Sequence, residues 1–180
     1  YVSRMKENQS GIYYLTGDDA AKAEVSPQLE GYKARGIEVL LLTDPVDAFW
    51  VRTSLGYDGK SFKSVTQGGA DLDEIPLEDK KDKKDQTDDA ATASLVTALK
   101  TALGDAVQDV VKSNRLTSSA VCIVAGDQSF DRTLEKYLAQ QQGKTSISAP
   151  VLEINPNHAL IAKLAERAGK GEDMGEAAKL

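Results

Sequence analysis

The sequence is poor in the features that mark membrane proteins, disulfide-linked proteins and metal-binding proteins. Its 180 residues include one cysteine, Cys122, and one histidine, His158, so no internal disulfide can form and no clustered metal site is predicted. No apolar run approaches the ~20 residues of a membrane span, and no signal-peptide pattern opens the chain. We therefore expect a cytoplasmic protein that does not bind a membrane.

Basic charge is also scarce. The chain has 22 lysines and arginines against 28 aspartates and glutamates, which gives a net charge of -6. Nine of the acids and only four lysines lie within residues 71–89, so the rest of the chain is close to neutral. Because nucleic-acid binding depends on neutralising phosphates with basic side chains, we expect no nucleic-acid partner.

What the sequence does contain is an alternation of strand and helix patterns in its first third. The apolar run at 37–42 predicts a central strand that is buried on both faces, since parallel sheets are covered by their crossover helices. Helices are predicted on either side of it, at 26–35 and 45–55, and further strands at 11–16 and 60–65. This order indicates an α/β layer built on a parallel sheet.

The chain then changes character. Residues 67–91 lack apolar periodicity and combine glycine, proline and dense charge, which predicts a solvated, mobile linker and a domain boundary. Beyond the linker the predicted helices are 92–103, 130–142 and 156–168, and the predicted strands are 107–112, 120–125 and 151–154. The predicted fold class is therefore mixed α/β (α+β), with two small modules at 1–66 and 92–180 joined by an acidic linker.

Several motifs occur in an order that resembles one known family. They are Gly-Ile-Glu-Val-Leu at 36–40, Thr-Asp-Pro-Val-Asp at 43–47, Tyr-Asp-Gly-Lys at 57–60, Arg-Leu-Thr at 115–117 and Leu-Glu-Ile-Asn-Pro-Asn-His at 152–158. In this order they closely resemble the heat-shock protein 90 chaperone family, and the short linker and C-terminal module resemble its bacterial high-temperature protein G branch. The resemblance covers essentially the whole chain.

The resemblance implies that the chain is a fragment of a homodimeric, ATP-dependent chaperone. Residues 1–66 would be the last α/β part of the family's middle domain, and 92–180 would be most of its C-terminal dimerisation domain, ending inside the helical bundle that pairs two subunits. The family's ATP and magnesium site and its catalytic arginine belong to other parts of the parent, so we expect this chain to bind no cofactor and to catalyse no reaction. Its own residues agree, because the turn at 17–19 presents acids where a phosphate needs bare backbone amides.

The predicted helix at 130–142 carries the first candidate functional surface. Its apolar stripe consists of Phe130, Leu134, Tyr137 and Leu138, opposite a charged face. Ordinary core packing explains such a stripe, and the periodicity by itself favours that interpretation. The resemblance implies instead that these four side chains stand in solvent and contact unfolded client proteins, because the family carries client-binding apolar residues on the matching helix.

The neighbouring aromatics Phe49 and Trp50 are the second candidate. At least one member of such a pair on a helix is usually buried in the core. The family has an acidic residue followed by an aromatic one at this place, and the pair contributes to client binding. Here the matching pair is Ala48 and Phe49, with Trp50 one residue later, so the resemblance implies a client-binding role for this pair of aromatics without deciding which of them is exposed.

A small α/β enzyme or a nucleotide- or ligand-binding domain is the alternative hypothesis, since a sheet of this kind would permit it. The catalytic chemistry available would be a Cys122 nucleophile with His158 as its base. No cationic residue adjoins Cys122 in its apolar run, and a helix cap suffices to explain His158. The sequence therefore does not favour this catalytic pair.

Overall fold

The structure is a computed structural model with two small sheets and the helices that cover them. It describes residues 1–54, 56–67, 72, 74–78, 89–126, 131–142 and 148–179. The mixed α/β fold class predicted from the sequence is confirmed. We use "first module" for the part built on the first sheet and "second module" for the part built on the second sheet.

The first sheet has three parallel strands in the order β2-β1-β3. The strands are β1 (Gly11–Thr16), β2 (Leu40–Leu42) and β3 (Ser61–Ser64). They are connected through α1 (Ala20–Glu24), α2 (Glu30–Lys33) and α3 (Asp47–Thr53). Ser26 and Asp19 accept backbone hydrogen bonds at the starts of the helical segments that follow them, as capping side chains do.

The prediction that the run at 37–42 forms the central strand is wrong. The central strand is β1, whose six residues are all buried, whereas β2 is an edge strand of only three half-buried leucines. Ile37 is buried in the core of the first module before β2 begins. An apolar run indicates burial, but the position of a strand in its sheet is decided by pairing, which the run does not encode.

The predicted linker is also not wholly solvated. Leu72 and Ile75 are buried in the core of the first module, next to Tyr32 and Val65. The Arg35 side chain donates hydrogen bonds to the carbonyl oxygens of both Leu72 (2.8 Å) and Ile75 (2.9 Å). Two apolar residues among many charges show no periodicity, and that is why the sequence pattern does not reveal this contact.

The second sheet has the order β4-β6-β5, with β4 parallel and β5 antiparallel to β6. The strands are β4 (Asp109–Lys112), β5 (Val121–Val124) and β6 (Val151–Ile154), and the helices are α4 (Asp89–Leu103), α5 (Arg132–Gln141) and α6 (Ala159–Gly169). Leu95, Leu99, Val110, Ile154 and Ile161 join α4 and α6 to this sheet in one core. A short 3-10 turn, Ala177–Lys179, follows α6.

Candidate functional site

The structure brings the two sequence-predicted candidate sets together. Helix α3 of the first module and helix α5 of the second are in contact, and the rings of Phe49 and Tyr137 lie 6.3 Å apart, centroid to centroid, with 30° between their planes. Such a separation is within the range of favourable aromatic pairs. The candidate residues of both modules therefore contribute to one surface, which crosses the boundary between them.

Four of the six candidate residues are at least partly exposed. Phe49 is 39% exposed and Trp50 is 37% exposed, so neither aromatic of the pair is a core residue. Tyr137 and Leu138 are half-buried. We call these four residues, Phe49, Trp50, Tyr137 and Leu138, the aromatic surface.

Trp50 is held in place although much of it is exposed. Its ring meets the ring of Phe62 edge-on at 5.3 Å, and its indole Nε1 donates a 2.8 Å hydrogen bond to Oδ1 of Asp47. The second oxygen of Asp47 accepts from the backbone amide of Asp44, and the Asp44 carboxylate accepts from Val46 N, so both acids order the start of α3. A fixed, partly exposed indole presents apolar area at little further entropic cost on binding.

The expectation that Leu134 stands in solvent is wrong. Leu134 is only 4% exposed, because α5 lies with that face against the rest of the protein. Phe130 lies outside the described residues. The helix begins at Arg132 rather than at residue 130, after Asp131, whose side chain accepts from Thr133 N as an N-cap.

Polar contacts border the aromatic surface on the side of α1. The Tyr137 hydroxyl donates to Oδ1 of Asp18 at 3.0 Å, and Lys136 Nζ lies 3.6 Å from the other oxygen of the same carboxylate. The hydrogen bond to Asp18 is the main cause that raises the pKa of the Tyr137 phenol above its ordinary value. The phenol is therefore neutral at physiological pH, and its ring can take part in apolar contacts.

Asp131 anchors α5 to the first module. Its carboxylate accepts hydrogen bonds from the hydroxyls of Thr16 (2.6 Å), Ser64 (2.6 Å) and Thr66 (3.0 Å), all of them buried. Burial and, after it, the Asp131 charge raise the pKa of the neighbouring Tyr14 to about 12. A buried carboxylate is costly unless it is hydrogen-bonded, and these donors supply the bonds.

Arg115 forms the second contact between the modules. It is completely buried and pairs with Glu153 through two hydrogen bonds of 2.8 Å, while its Nη1 donates to the carbonyl oxygen of Val65 at 2.6 Å. A Cβ atom on Gly31 of α2 would lie 2.5 Å from Cβ of Arg115. The two modules thus approach each other so closely that only glycine fits at this point.

Glu30 forms the third contact. Its carboxylate accepts from three successive backbone amides of the second module, those of Thr117 (2.7 Å), Ser118 (2.9 Å) and Ser119 (3.1 Å). Burial alone would raise the pKa of Glu30, but these bonds and those from the serine hydroxyls outweigh it and lower the pKa to about 2. The contact is therefore made by an ionised carboxylate at every physiological pH.

Comparison with known proteins decides the family. The family model described as "Hsp90 protein" matches residues 1–180, the whole chain. The chain belongs to the Hsp90 family. Among curated relatives, the Chaperone protein HtpG of Rhizobium meliloti (strain 1021) is 54% identical over 165 residues, and that of Nitrobacter hamburgensis is 52% identical over 165 residues. Each alignment covers 92% of this chain and 26% of the relative.

A longer alignment comes from the Chaperone protein HtpG of Rhodospirillum rubrum, which is 48% identical over 185 residues and covers 99% of this chain. It covers 30% of that relative. The chain thus spans between a quarter and a third of the length of these Hsp90-family relatives.

The alternative hypothesis of a small enzyme domain receives no support from these relatives. Burial raises the pKa of the Cys122 thiol to about 11, which disfavours the nucleophilic thiolate even though Arg115 acts in the opposite direction. Nδ1 of His158 accepts from Leu160 N at 3.2 Å, as the N-cap of α6. Each of the two side chains thus has a structural role in this Hsp90-family chain.

A cavity of about 250 Å³ at the end of β1 is lined by Asp18, Asp19 and Lys22, and its two carboxylates repel a phosphate. Among the described residues no three histidine, cysteine, aspartate or glutamate side chains are grouped as a metal ion requires. No helix within the described ranges is long and apolar enough to cross a bilayer.

Sequence reasoning missed the residues that join the two modules, namely Asp131, Arg115 and Glu30. Asp131 carried a usable signal, because an acid just before an amphipathic helix is a typical N-cap. Nothing in the sequence indicated that the same carboxylate reaches hydroxyls more than sixty residues away. Arg115 lies in the connection between β4 and β5, and Glu30 is the first residue of α2. For charged residues at such places solvent exposure is the ordinary expectation.

Proposed function

We propose that this chain is the part of an ATP-dependent molecular chaperone that holds unfolded or partly folded client proteins. The observation that carries the proposal is the aromatic surface, where partly exposed side chains from both modules meet within ring-contact distance. Membership of the Hsp90 family and relatives named as chaperones support it.

The aromatic surface suits weak, tolerant binding of apolar segments. Full burial of one large apolar side chain is worth about 1.5–3 kcal/mol, so a few of them yield only modest affinity. Trp50 and Tyr137 add hydrogen-bonding groups at their edges, and Asp18, Asp47 and Lys136 place charges of both signs around them. Apolar contacts without a shaped pocket discriminate little between clients, as a chaperone of broad specificity requires.

In this proposal the ATP and magnesium that drive the parent protein bind elsewhere in it, and the present chain is not itself an enzyme. The second module supplies part of the parent's homodimer interface. The protein acts in the cytoplasm. Titration of the chain with magnesium and ATP in a calorimeter is expected to give no binding heat, and micromolar binding would contradict this assignment.

Client binding is tested by replacing the exposed aromatics. Phe49→Ser and Trp50→Ser are each expected to weaken binding of a reduced and alkylated globular protein by about fivefold, because each removes roughly 1 kcal/mol of apolar contact. Fluorescence anisotropy of the labelled client measures the affinity. Tyr57→Ser is the matched control, since Tyr57 is 67% exposed in the turn before β3 and is not part of the aromatic surface.

The control is expected to bind the client as the unchanged chain does. Equal loss in all three variants, or no loss in Phe49→Ser and Trp50→Ser, would show that the aromatic surface is not the binding site. Far-UV circular dichroism confirms that each variant keeps the fold.

A further inference from the structure

The first sheet has a crevice at the place where open parallel sheets bind ligands. The chain leaves β1 towards β2 on one side and returns through α3 to β3 on the other side, which gives the order β2-β1-β3. In such sheets the ligand lies at the carboxyl ends of the two strands where the direction of the connections changes, here β1 and β3. The groups at the carboxyl ends of β1 and β3 therefore decide what this crevice can hold.

Three buried hydroxyls converge there. Thr16 is the last residue of β1, Ser64 is the last residue of β3, and Thr66 follows two residues later. The oxygens of Ser64 and Thr66 are 2.9 Å apart, and Ser64 Oγ also accepts from Thr66 N at 3.2 Å. We call these three residues the hydroxyl cradle. Hydroxyls that all point to one spot form a site for an acceptor with several lone pairs.

That acceptor is a side chain of the second module. Asp131 Oδ1 accepts from Thr16 at 2.6 Å, and Asp131 Oδ2 accepts from Ser64 at 2.6 Å and from Thr66 at 3.0 Å. The carboxylate is itself buried. The place that a small ligand takes in other α/β sheets is thus filled by a group from the same chain.

We propose that the hydroxyl cradle is a carboxylate-binding site, that Asp131 is its ligand, and that this contact is a releasable latch which holds α5 against the first module. The latch follows from the geometry alone. Its consequence for client binding rests on the function proposed above, because release would add Leu134 to the aromatic surface.

The position of Asp131 couples the latch to the whole helix. The same carboxylate caps α5 by accepting from Thr133 N, and the Thr133 hydroxyl donates to the carbonyl oxygen of Thr16 at 3.3 Å. Leu134 follows Asp131 by three residues, so both lie on one side of the helix. A carboxylate that leaves the hydroxyl cradle must reach water to replace its lost hydrogen bonds. Because Asp131 caps α5, the start of the helix would move with it and uncover Leu134.

The test measures the opening of α5 by hydrogen exchange. Asp131→Ser keeps a good helix cap but is too short to bridge the cradle, and the double variant Ser64→Ala with Thr66→Val removes two donors without touching α5. Each is expected to speed the exchange of the α5 amides by at least about tenfold, since hydrogen bonds to a charged group are among the stronger ones in proteins. Combining them is expected to add little, because both remove the same contact.

The amides of α6 are the internal control and should exchange as before. Thr92→Val is the matched variant, since the buried Thr92 hydroxyl of the second module has no hydrogen-bond partner among the described residues, and it should leave α5 unchanged. Unchanged α5 exchange in the cradle variant would overturn the proposal and leave Asp131 as a helix cap only. Faster exchange in α5 and α6 alike would overturn it too, because the cradle would then support the whole fold.

Client affinity of the same variants is measured separately. If Leu134 joins the aromatic surface on release, the cradle variant is expected to bind the unfolded client about threefold more tightly, as one further apolar side chain becomes available. Faster α5 exchange without any change in client binding would leave the latch standing and would count against the proposed function.

Discussion

Helices α5 and α6 have similar lengths and amphipathic patterns, but they are covered in different ways. The apolar face of α6 packs into its own module through Ile161, Leu164 and Ala165. Helix α5 contributes no residue to that core, lies against the other module, and is attached there through the buried carboxylate of Asp131. An amphipathic stripe therefore indicates a covered face without indicating which element covers it.

The interior of each module and the boundary between the modules also differ in the kind of contact that they contain. The interiors are apolar, whereas the boundary is made by Asp131, Arg115 and Glu30, each with several hydrogen bonds. Fully satisfied buried polar contacts are specific in geometry, and water can replace their hydrogen bonds when the boundary opens. An interface of this composition can fix the relative position of two modules and still open.

The largest effect on stability is expected when a buried apolar side chain of α6 is truncated and compared with the same kind of change in α5. Ile161→Ala in α6 is expected to lower the free energy of unfolding by about 3–5 kcal/mol, because it leaves a cavity in a closed core. Leu134→Ala in α5 is expected to cost no more than about 2 kcal/mol, since the boundary between the modules can readjust. Urea denaturation measures both. Equal losses would mean that α5 is as much a part of a fixed core as α6.

A side chain at the closest approach of the modules is expected to have the next largest effect. Gly31→Ala would place Cβ 2.5 Å from Cβ of Arg115, and relief of that overlap is expected to cost about 1–3 kcal/mol of unfolding free energy. Gly17→Ala is the control, because the nearest atom to its Cβ would be 3.9 Å away. A Gly31→Ala variant as stable as the Gly17→Ala variant would show that the modules separate easily at this point.

The contact made by Glu30 is expected to depend on pH. The pKa of Glu30 is lowered from its ordinary 4.5 to about 2, so its stabilising effect is fully present above pH 4.5 and is lost as the pH falls towards about 2. Glu30→Gln should therefore be less stable than the unchanged chain at pH 7, and the difference should shrink below pH 4.5. A difference that stays constant down to pH 2 would mean that the charge of Glu30 does not matter.

The smallest effect is expected for the exposed ion pair beside the aromatic surface. Lys136 and Asp18 are 3.6 Å apart and mostly solvent-exposed, so Lys136→Ala is expected to change the unfolding free energy by less than about 0.5 kcal/mol. The melting temperature provides the measurement. A loss as large as that of Gly31→Ala would show that surface charge, rather than the buried contacts, holds α5 in place.

The periodic patterns of the sequence predicted the helices and strands well. They predicted poorly which parts of the chain pack against one another. The predicted bounds lie close to the observed ones for the strands at 11–16 and 120–125 and for helix α6. Each of these patterns is set by residues that are near one another in the sequence. The edge position of β2, the burial of Leu72 and the burial of Leu134 depend on partners far along the chain. Such partners leave no periodic signal in one sequence.

The candidate surface was foreseen in part. The resemblance pointed to Phe49, Trp50, Tyr137 and Leu138; the structure leaves all four at least partly exposed and brings the rings of Phe49 and Tyr137 together. Their role in client binding remains a prediction. The sequence did not indicate that Asp131 determines how much of the α5 stripe is exposed. That property follows from three hydroxyls at strand ends, residues that are common in loops and carry no recognisable motif.

Photocrosslinking of a client tests the central claim most directly. A photoreactive phenylalanine analogue placed in turn at Trp50 of α3, at Tyr137 of α5 and at Leu160 of α6 is irradiated in the presence of a reduced and alkylated globular protein. If the aromatic surface binds clients across both modules, positions 50 and 137 will crosslink to the client and position 160 will not, although Leu160 is also an exposed apolar residue. Crosslinking at 160 alone, or equal crosslinking at all three positions, would contradict the account.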